Sequence, residues 1–247
     1  MSFLYKYRPF NKDTLKTLAL RKLFFSRPAF FNDPFDSQLS PEEFARELNT
    51  EGITHGTKKI EMASSFMDRC LRDAGILCLS KKNENILMWS HYADSHRGLC
   101  IGFTDSLLED LNARNERKQF SEYEVSYDTN HPFLEIQRDI LYGHKYGTGD
   151  AFIDQCTLED DLLEASISKK HEHWIYEDEV RFYTQSYGLY EFSSSSVDHI
   201  IFGMNASLDD IETVRNILKT EEWAHVELLN AHRKPCALEL EIPIKLA

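Results

Sequence analysis

Apolar residues recur along this chain at two spacings, every second residue and every third or fourth, and the rhythm switches often enough to predict interleaved strands and helices. Residues 3–8 form the first strand, stopped by Pro9, with Phe3, Tyr5 and Tyr7 on one face and Leu4, Lys6 and Arg8 on the other. A short helix from Asp13 or Thr14 to Ala19 and a strand over 23–26 follow. Asn32-Asp33-Pro34 between Phe30-Phe31 and Phe35-Asp36 is turn chemistry, because Asx side chains bond nearby amides and proline fixes the next backbone angle. Ser40-Pro41-Glu42-Glu43 is a capping box that predicts a helix to about Asn49, and the apolar stripe from Ile60 to Leu71 predicts another over 57–74.

The middle of the chain reads strand, short helix, strand. The strand covers 76–80 and ends at Ser80; Asn83 or Asn85 caps a helix over 86–93, Gly98 stops the turn, and 99–103 is again apolar. Beyond it the pattern predicts a helix over 107–111 capped by Asp105, a solvated charged run over 112–118, a strand over 123–127, a helix opening at Pro132, a turn over 143–149 and a helix from Asp150 to about His173. The end of 174–183 alternates as a strand; 197–203 is a strand or turn, Ser207 caps a helix over 211–218, and strands over 226–229 and 237–242 close the chain.

With 247 residues, 42% hydrophobic and 28% charged, the chain fits one globular domain over 1–247 with a sizeable core. The excess of 41 Asp and Glu over 28 Lys and Arg gives a net charge of −13, which argues against a broad phosphate-binding face and leaves room only for a local groove. Five cysteines (Cys70, Cys78, Cys100, Cys156, Cys236) are widely spaced and without a C-x-x-C pair, so reduced thiols in a cytoplasmic protein are expected. No apolar run predicts a secretory signal or a membrane span.

Two stretches carry candidate chemistry. Trp89, Tyr92 and His96, with Met88 and His91 beside them, fall at helical spacing and could wall a pocket, although such a stripe is more often the core face of a helix. Glu177, Glu179 and Arg181 are expected on one face of a strand, with Val180 and Phe182 on the other; residues two apart lie roughly 6.5 to 7 Å apart, so both carboxylates can address one ligand. Such a pair can stabilise an oxocarbenium-like transition state, and an exposed charge-paired strand face is the plainer alternative. Paired histidines (His171 and His173, His91 and His96) lack the H-E-x-x-H spacing, so no metal is expected.

Four ordered motifs carry a resemblance: Leu4-Tyr5-Lys6-Tyr7-Arg8; Phe31-Asn32-Asp33-Pro34-Phe35-Asp36; Leu87-Met88-Trp89-Ser90-His91-Tyr92-Ala93-Asp94 with His96-Arg97-Gly98; and Trp174-Ile175-Tyr176-Glu177-Asp178-Glu179-Val180-Arg181. Up to about Gly203 the chain resembles a bacterial family of domains of unknown function. More distantly, the aromatic-basic first strand, the strand ending in serine before an aromatic helix, and the late Glu-x-Glu are similar to the ADP-ribosyltransferase superfamily. That likeness implies an α+β fold with a split antiparallel β-sandwich flanked by helices, NAD as substrate, and transfer or hydrolysis of ADP-ribose, in bacterial defence or toxin systems. It implies Glu179 as the catalytic glutamate with Glu177 its partner, Ser80 and Tyr92 near the nicotinamide, Lys6 and Arg8 at the diphosphate, and Trp89, His91 and Tyr92 at the base. Tyr5 and Arg181 complete the implied substrate-binding set, and Lys6 stands where those enzymes place His or Arg. The acceptor, protein or nucleic acid, stays open. A non-catalytic nucleotide- or protein-binding module and a glycoside or nucleoside hydrolase using Glu177 and Glu179 are the competing readings.

Overall fold

A computed structural model describes residues 2–37, 57–136 and 155–245 together with Arg46 and Arg138. The helix expected after Ser40 and the turn expected over 143–149 lie outside these residues, as does the later part of the helix expected from Pro132. In chain order the elements are β1 (Phe3–Arg8), α1 (Lys12–Leu20), β2 (Lys22–Phe25), α2 (Thr57–Asp73), β3 (Gly75–Ser80), α3 (Ile86–Tyr92), β4 (Leu99–Thr104), α4 (Leu107–Arg114), β5 (Ser121–Glu124), β6 (Ser126–Asp128), α5 (Gln155–Ser168), β7 (Lys169–His171), β8 (Glu179–Thr184), β9 (Gly188–Glu191), β10 (Val197–Phe202), α6 (Leu208–Ile217), β11 (Glu227–Arg233) and β12 (Leu240–Lys245).

The fold is mixed α+β. Eight strands form one sheet in the order β12-β11-β10-β4-β1-β3-β8-β5, antiparallel except where β10 runs beside β11, and β2–β9 and β6–β7 make two small ribbons. Both faces of the large sheet are covered. Leu77, Leu79, Ile101, Phe103, Val180 and Phe182 pack on one side with Leu18, Leu107, Leu111 and Val214 from the helices. On the other side Tyr5, Tyr7, Cys100 and Ile201 pack with Met88 and Trp89 of α3, and Ile76 and Tyr183 pack with Ile167 at the end of α5. Burial on both faces explains why the central strands read as near-continuous apolar runs instead of a clean alternation.

One joint in the sheet is incomplete. β1 pairs with β4 along its whole length, from Phe3↔Thr104 to Arg8↔Leu99, but meets β3 at a single register pair, Tyr5↔Ser80. The far end of β3 is held by Ser26, whose amide and carbonyl both bond to Ile76. Between those two points the carbonyl of Cys78 has no strand partner, and Lys6 Nζ donates to it at 2.7 Å. A lysine side chain thus fills a missing rung, and the sheet stays open beside it.

Several sequence expectations shift here. Glu177 lies outside the strand, in a 3-10 turn over Glu172–Glu177, and Asp178 (φ 45°) turns the chain before β8 begins at Glu179. The helix expected to reach His173 ends at Ser168, because β7 pairs with β6. The strand expected over 123–127 is two short strands divided at Val125, whose amide donates to the Glu179 carbonyl. His96 is not helical: α3 ends at Tyr92, and Asp94, Ser95 and His96 take left-handed angles (φ 48°, 54° and 66°).

That left-handed turn is locked to the end of β10. Gly203 N donates to Gly98 O and Asn205 N to His96 O, each at 2.9 Å. Each glycine lies against backbone: a Cβ on Gly98 would lie 2.1 Å from Arg8 O, and one on Gly203 2.1 Å from His96 O. Gly203→Ala should therefore destabilise the protein by about 2 kcal/mol or more, read by urea denaturation, because two backbones must separate to admit one methyl group. An unchanged midpoint would show that the approach is slack.

Candidate functional site

The open joint leads into a cavity of about 470 Å³. Strand alternation brings to it residues from both faces of β1: Lys6 and Arg8 from one, Tyr5 and Tyr7 from the other. α3 contributes Met88, His91 and Tyr92, the segment after β2 contributes Phe30, Phe31, Asn32 and Asp36, and the far wall carries Ser80, Lys170, Glu177 and Glu179. Cross-strand register explains part of this, since Tyr5, Ser80 and Glu179 stand in one row across β1, β3 and β8.

The acidic wall is a buried ionic cluster. Arg181, with no exposed surface, donates from Nη1 and Nη2 to the two Asp36 carboxylate oxygens at 2.7 Å each, and from Nε and Nη2 to Glu179 Oε1 and Oε2 at 2.9 and 3.0 Å. Ile167 O and Ser37 Oγ accept the remaining Nη1 contacts. Lys170 Nζ sits 2.5 Å from Glu177 Oε2, 3.3 Å from Asp36 Oδ2 and 3.4 Å from Glu179 Oε2. Tyr92 donates to Glu177 Oε1 at 2.5 Å.

These surroundings push the two glutamates apart. Burial raises the Glu177 carboxyl above the ordinary range, only partly opposed by Lys170, and the Glu179 charge raises it further. Burial acts in the same direction on Glu179, but the Arg181 guanidinium and the Lys170 ammonium outweigh it and hold that carboxyl at about 2. One carboxylate is firmly ionised and its neighbour is the more readily protonated, which is the division that acid and base roles require. On the opposite wall burial lowers both Lys6 and Arg8. Among the described residues neither has a carboxylate within salt-bridge distance; Arg8 Nε instead donates to Thr14 Oγ1 at 3.3 Å.

The structure distributes the residues singled out from sequence. Lys6, Arg8, Tyr5, Ser80, His91, Tyr92, Glu177 and Glu179 all line the cavity. Ser80 has a structural bond as well, donating to Glu177 O at 2.7 Å. Trp89 is completely buried, its Nε1 donating to Asn83 O at 2.7 Å and its ring edge-on to Tyr7, so it supports α3 from below. Arg181 stands behind the wall as the counter-ion of Glu179 and Asp36.

Sequence reasoning missed Lys170 and Asp36. Lys170 sits in a stretch that reads as the tail of a helix, and Asp36 hides in a motif that turn-making already accounts for; Asp33 makes that turn, accepting the Phe35 amide at 2.9 Å. Tyr127, whose hydroxyl accepts the Glu179 amide at 2.8 Å, had no signal at all.

Residues 88–182 match the model of a family described as a protein of unknown function, DUF2971. The matched segment runs from α3 to β8 and so contains Tyr92, Tyr127, Lys170, Glu177, Glu179 and Arg181. No curated protein and no solved structure shows significant similarity to the chain. Among the described residues no group of His, Cys, Asp and Glu side chains is placed to hold a metal ion, and no helix is long and apolar enough to cross a membrane.

Because Glu179 is held below its ordinary value of 4.5, its charge stabilises the fold above that pH, and the contribution is lost as pH falls from 4.5 towards about 2. Glu179→Gln should accordingly cost on the order of 3 kcal/mol near neutral pH, and its stability should fall less steeply than the wild type's between about pH 6 and about pH 3. Denaturation curves across that range check both; parallel pH profiles would contradict the assignment.

Proposed function

We propose that the cavity binds NAD and that the paired glutamates act at the ribose bearing nicotinamide, transferring or hydrolysing ADP-ribose. The observation that carries this reading is the convergence of three chain-distant segments on one cavity: cationic β1, aromatic α3 and the Glu177–Glu179 wall. In this reading the gap between β1 and β3 is the nucleotide cleft of a split, ADP-ribosyltransferase-like β-sandwich. A volume of about 470 Å³ lies within the usual range for a small-ligand site. Lys6 and Arg8, which among the described residues have no carboxylate within salt-bridge distance, receive the diphosphate, whose negative charge opposes the effect of burial on both cations.

Glu179, fixed as a carboxylate, stabilises the oxocarbenium-like ribose while the C1′–N bond breaks and nicotinamide leaves with the electron pair. Water or an acceptor nucleophile then bonds to C1′ and gives up its proton to bulk water.

Nicotinamide release from NAD by wild type, Glu179→Gln and Lys6→Met is the test. Glu179→Gln, checked for folding by circular dichroism, should lose about a hundredfold or more in turnover, and Lys6→Met should weaken NAD binding chiefly through KM. Equal rates in wild type and Glu179→Gln would remove the mechanism. Binding of NAD, seen as a thermal shift, without nicotinamide release would leave a nucleotide-binding module instead.

The upward shift of Glu177 favours a second reading, a glycoside or nucleoside hydrolase in which Glu177 protonates the leaving group. Base release from nucleosides, with NAD left intact, would single it out.

A further inference from the structure

Lys170 has a second exposure. Its side chain also lines a separate cavity of about 600 Å³, on the other side of the Phe31-to-Asp36 turn. That turn is shared as a partition, since Phe31, Asn32 and Asp36 face the first cavity while Asp33 and Phe35 line the second. The ammonium of Lys170 shows the same division, bonded to three carboxylates and lying 4.8 Å from the centre of the Trp174 ring.

The lining of the second cavity specifies its guest. Phe35 is 71% exposed, Trp174 is half-buried, and the exposed rings of His171 and His173 lie 4.4 Å apart, so flat π faces dominate. The His173 amide donates to His171 Nδ1 at 3.2 Å, and a neutral imidazole accepting at Nδ1 carries its proton on Nε2. His171 therefore presents an Nε2–H donor. Its two lysines are already neutralised, Lys169 by Glu135 at 2.9 Å and Lys170 by the carboxylate cluster, so a phosphate finds no spare cation there. Asp128 spends its Oδ1 on the Thr129 amide and on the amide and side chain of Asn130. Stacking faces and a ring N–H donor stand here beside the carboxylates of Asp33 and Asp128, a lining that suits an uncharged planar ring carrying both acceptor and donor atoms.

We propose that this second cavity binds a nucleobase, taken as a nucleoside or an unstacked base and held by its ring rather than by phosphate. The first cavity's chemistry does not enter the argument, so the two readings fail separately.

Tryptophan fluorescence reads the site directly, because of the three tryptophans Trp89 and Trp223 are buried and Trp174 alone lines the cavity. Titration with thymidine and guanosine should give saturable quenching that ribose does not give. Phe35→Ala and His171→Ala, both at exposed positions, should weaken it about tenfold or more. Trp174→Leu, followed by thermal shift, should abolish the nucleoside-dependent stabilisation. Quenching that rises linearly without saturation, or saturable binding untouched by Phe35→Ala and His171→Ala, would overturn the proposal. NAD turnover without nucleoside binding would defeat only this inference, and nucleoside binding without NAD turnover would defeat only the transferase reading.

Discussion

Arg181 is a guanidinium with no access to water, and the middle of this protein is arranged to satisfy it. A charge so placed is tolerable only if carboxylates and carbonyls meet every donor, since the cost of an unpaired buried ion is several kcal/mol. Asp36 and Ser37 come from the turn after β2 and Ile167 from the end of α5, while Glu179 lies two residues back on β8. Satisfying one side chain therefore fixes where the turn, the helix end and the strand meet. Lys170, arriving on β7 immediately after α5, extends the same cluster to Glu177.

The cluster also sets the electrostatics of the cavity. Three carboxylates (Asp36, Glu177, Glu179) share two cations (Lys170, Arg181), leaving a formal surplus of one negative charge. Glu179, forked by Arg181, keeps its charge at the expense of Glu177, which is left with one ammonium and a tyrosine hydroxyl. Lys6 and Glu179 attract one another across the cavity, each too far from the other to pair. An anionic ligand group beside Lys6 and a developing cation beside Glu179 would each complete a half-satisfied side of the same space.

Much of this was legible in the sequence. The two faces of β1 follow from strand alternation, the Asn85 cap and the following helix from local chemistry, and the Asx turn from Asn32-Asp33-Pro34. The period-two rule failed at Glu177 because Asp178 adopts a left-handed backbone angle, a choice made by tertiary packing that an Asp allows without announcing. It also gave no hint that the charged residues of β8 are buried: Glu-x-Glu-x-Arg looks the same on a solvated face as inside a neutralised cluster, and only Asp36 and Lys170, remote in sequence, make the difference.

The open joint between β1 and β3 links the fold to the site. A sheet that paired Tyr7 with Cys78 would be more regular, but it would close the space into which Lys6, Arg8 and Glu179 project. Lys6 resolves the conflict by bonding to the Cys78 carbonyl, so that acceptor is satisfied while the ammonium remains on the cavity wall. The same side chain is thus a substitute for a backbone rung and, among the described residues, a cation with no carboxylate within salt-bridge distance. A neutral residue of similar length would leave the carbonyl stranded, whereas an arginine, with its broader planar head, would have to fit the slot differently; this makes lysine at position 6 a structural requirement of the opening as much as a chemical feature of what the opening holds.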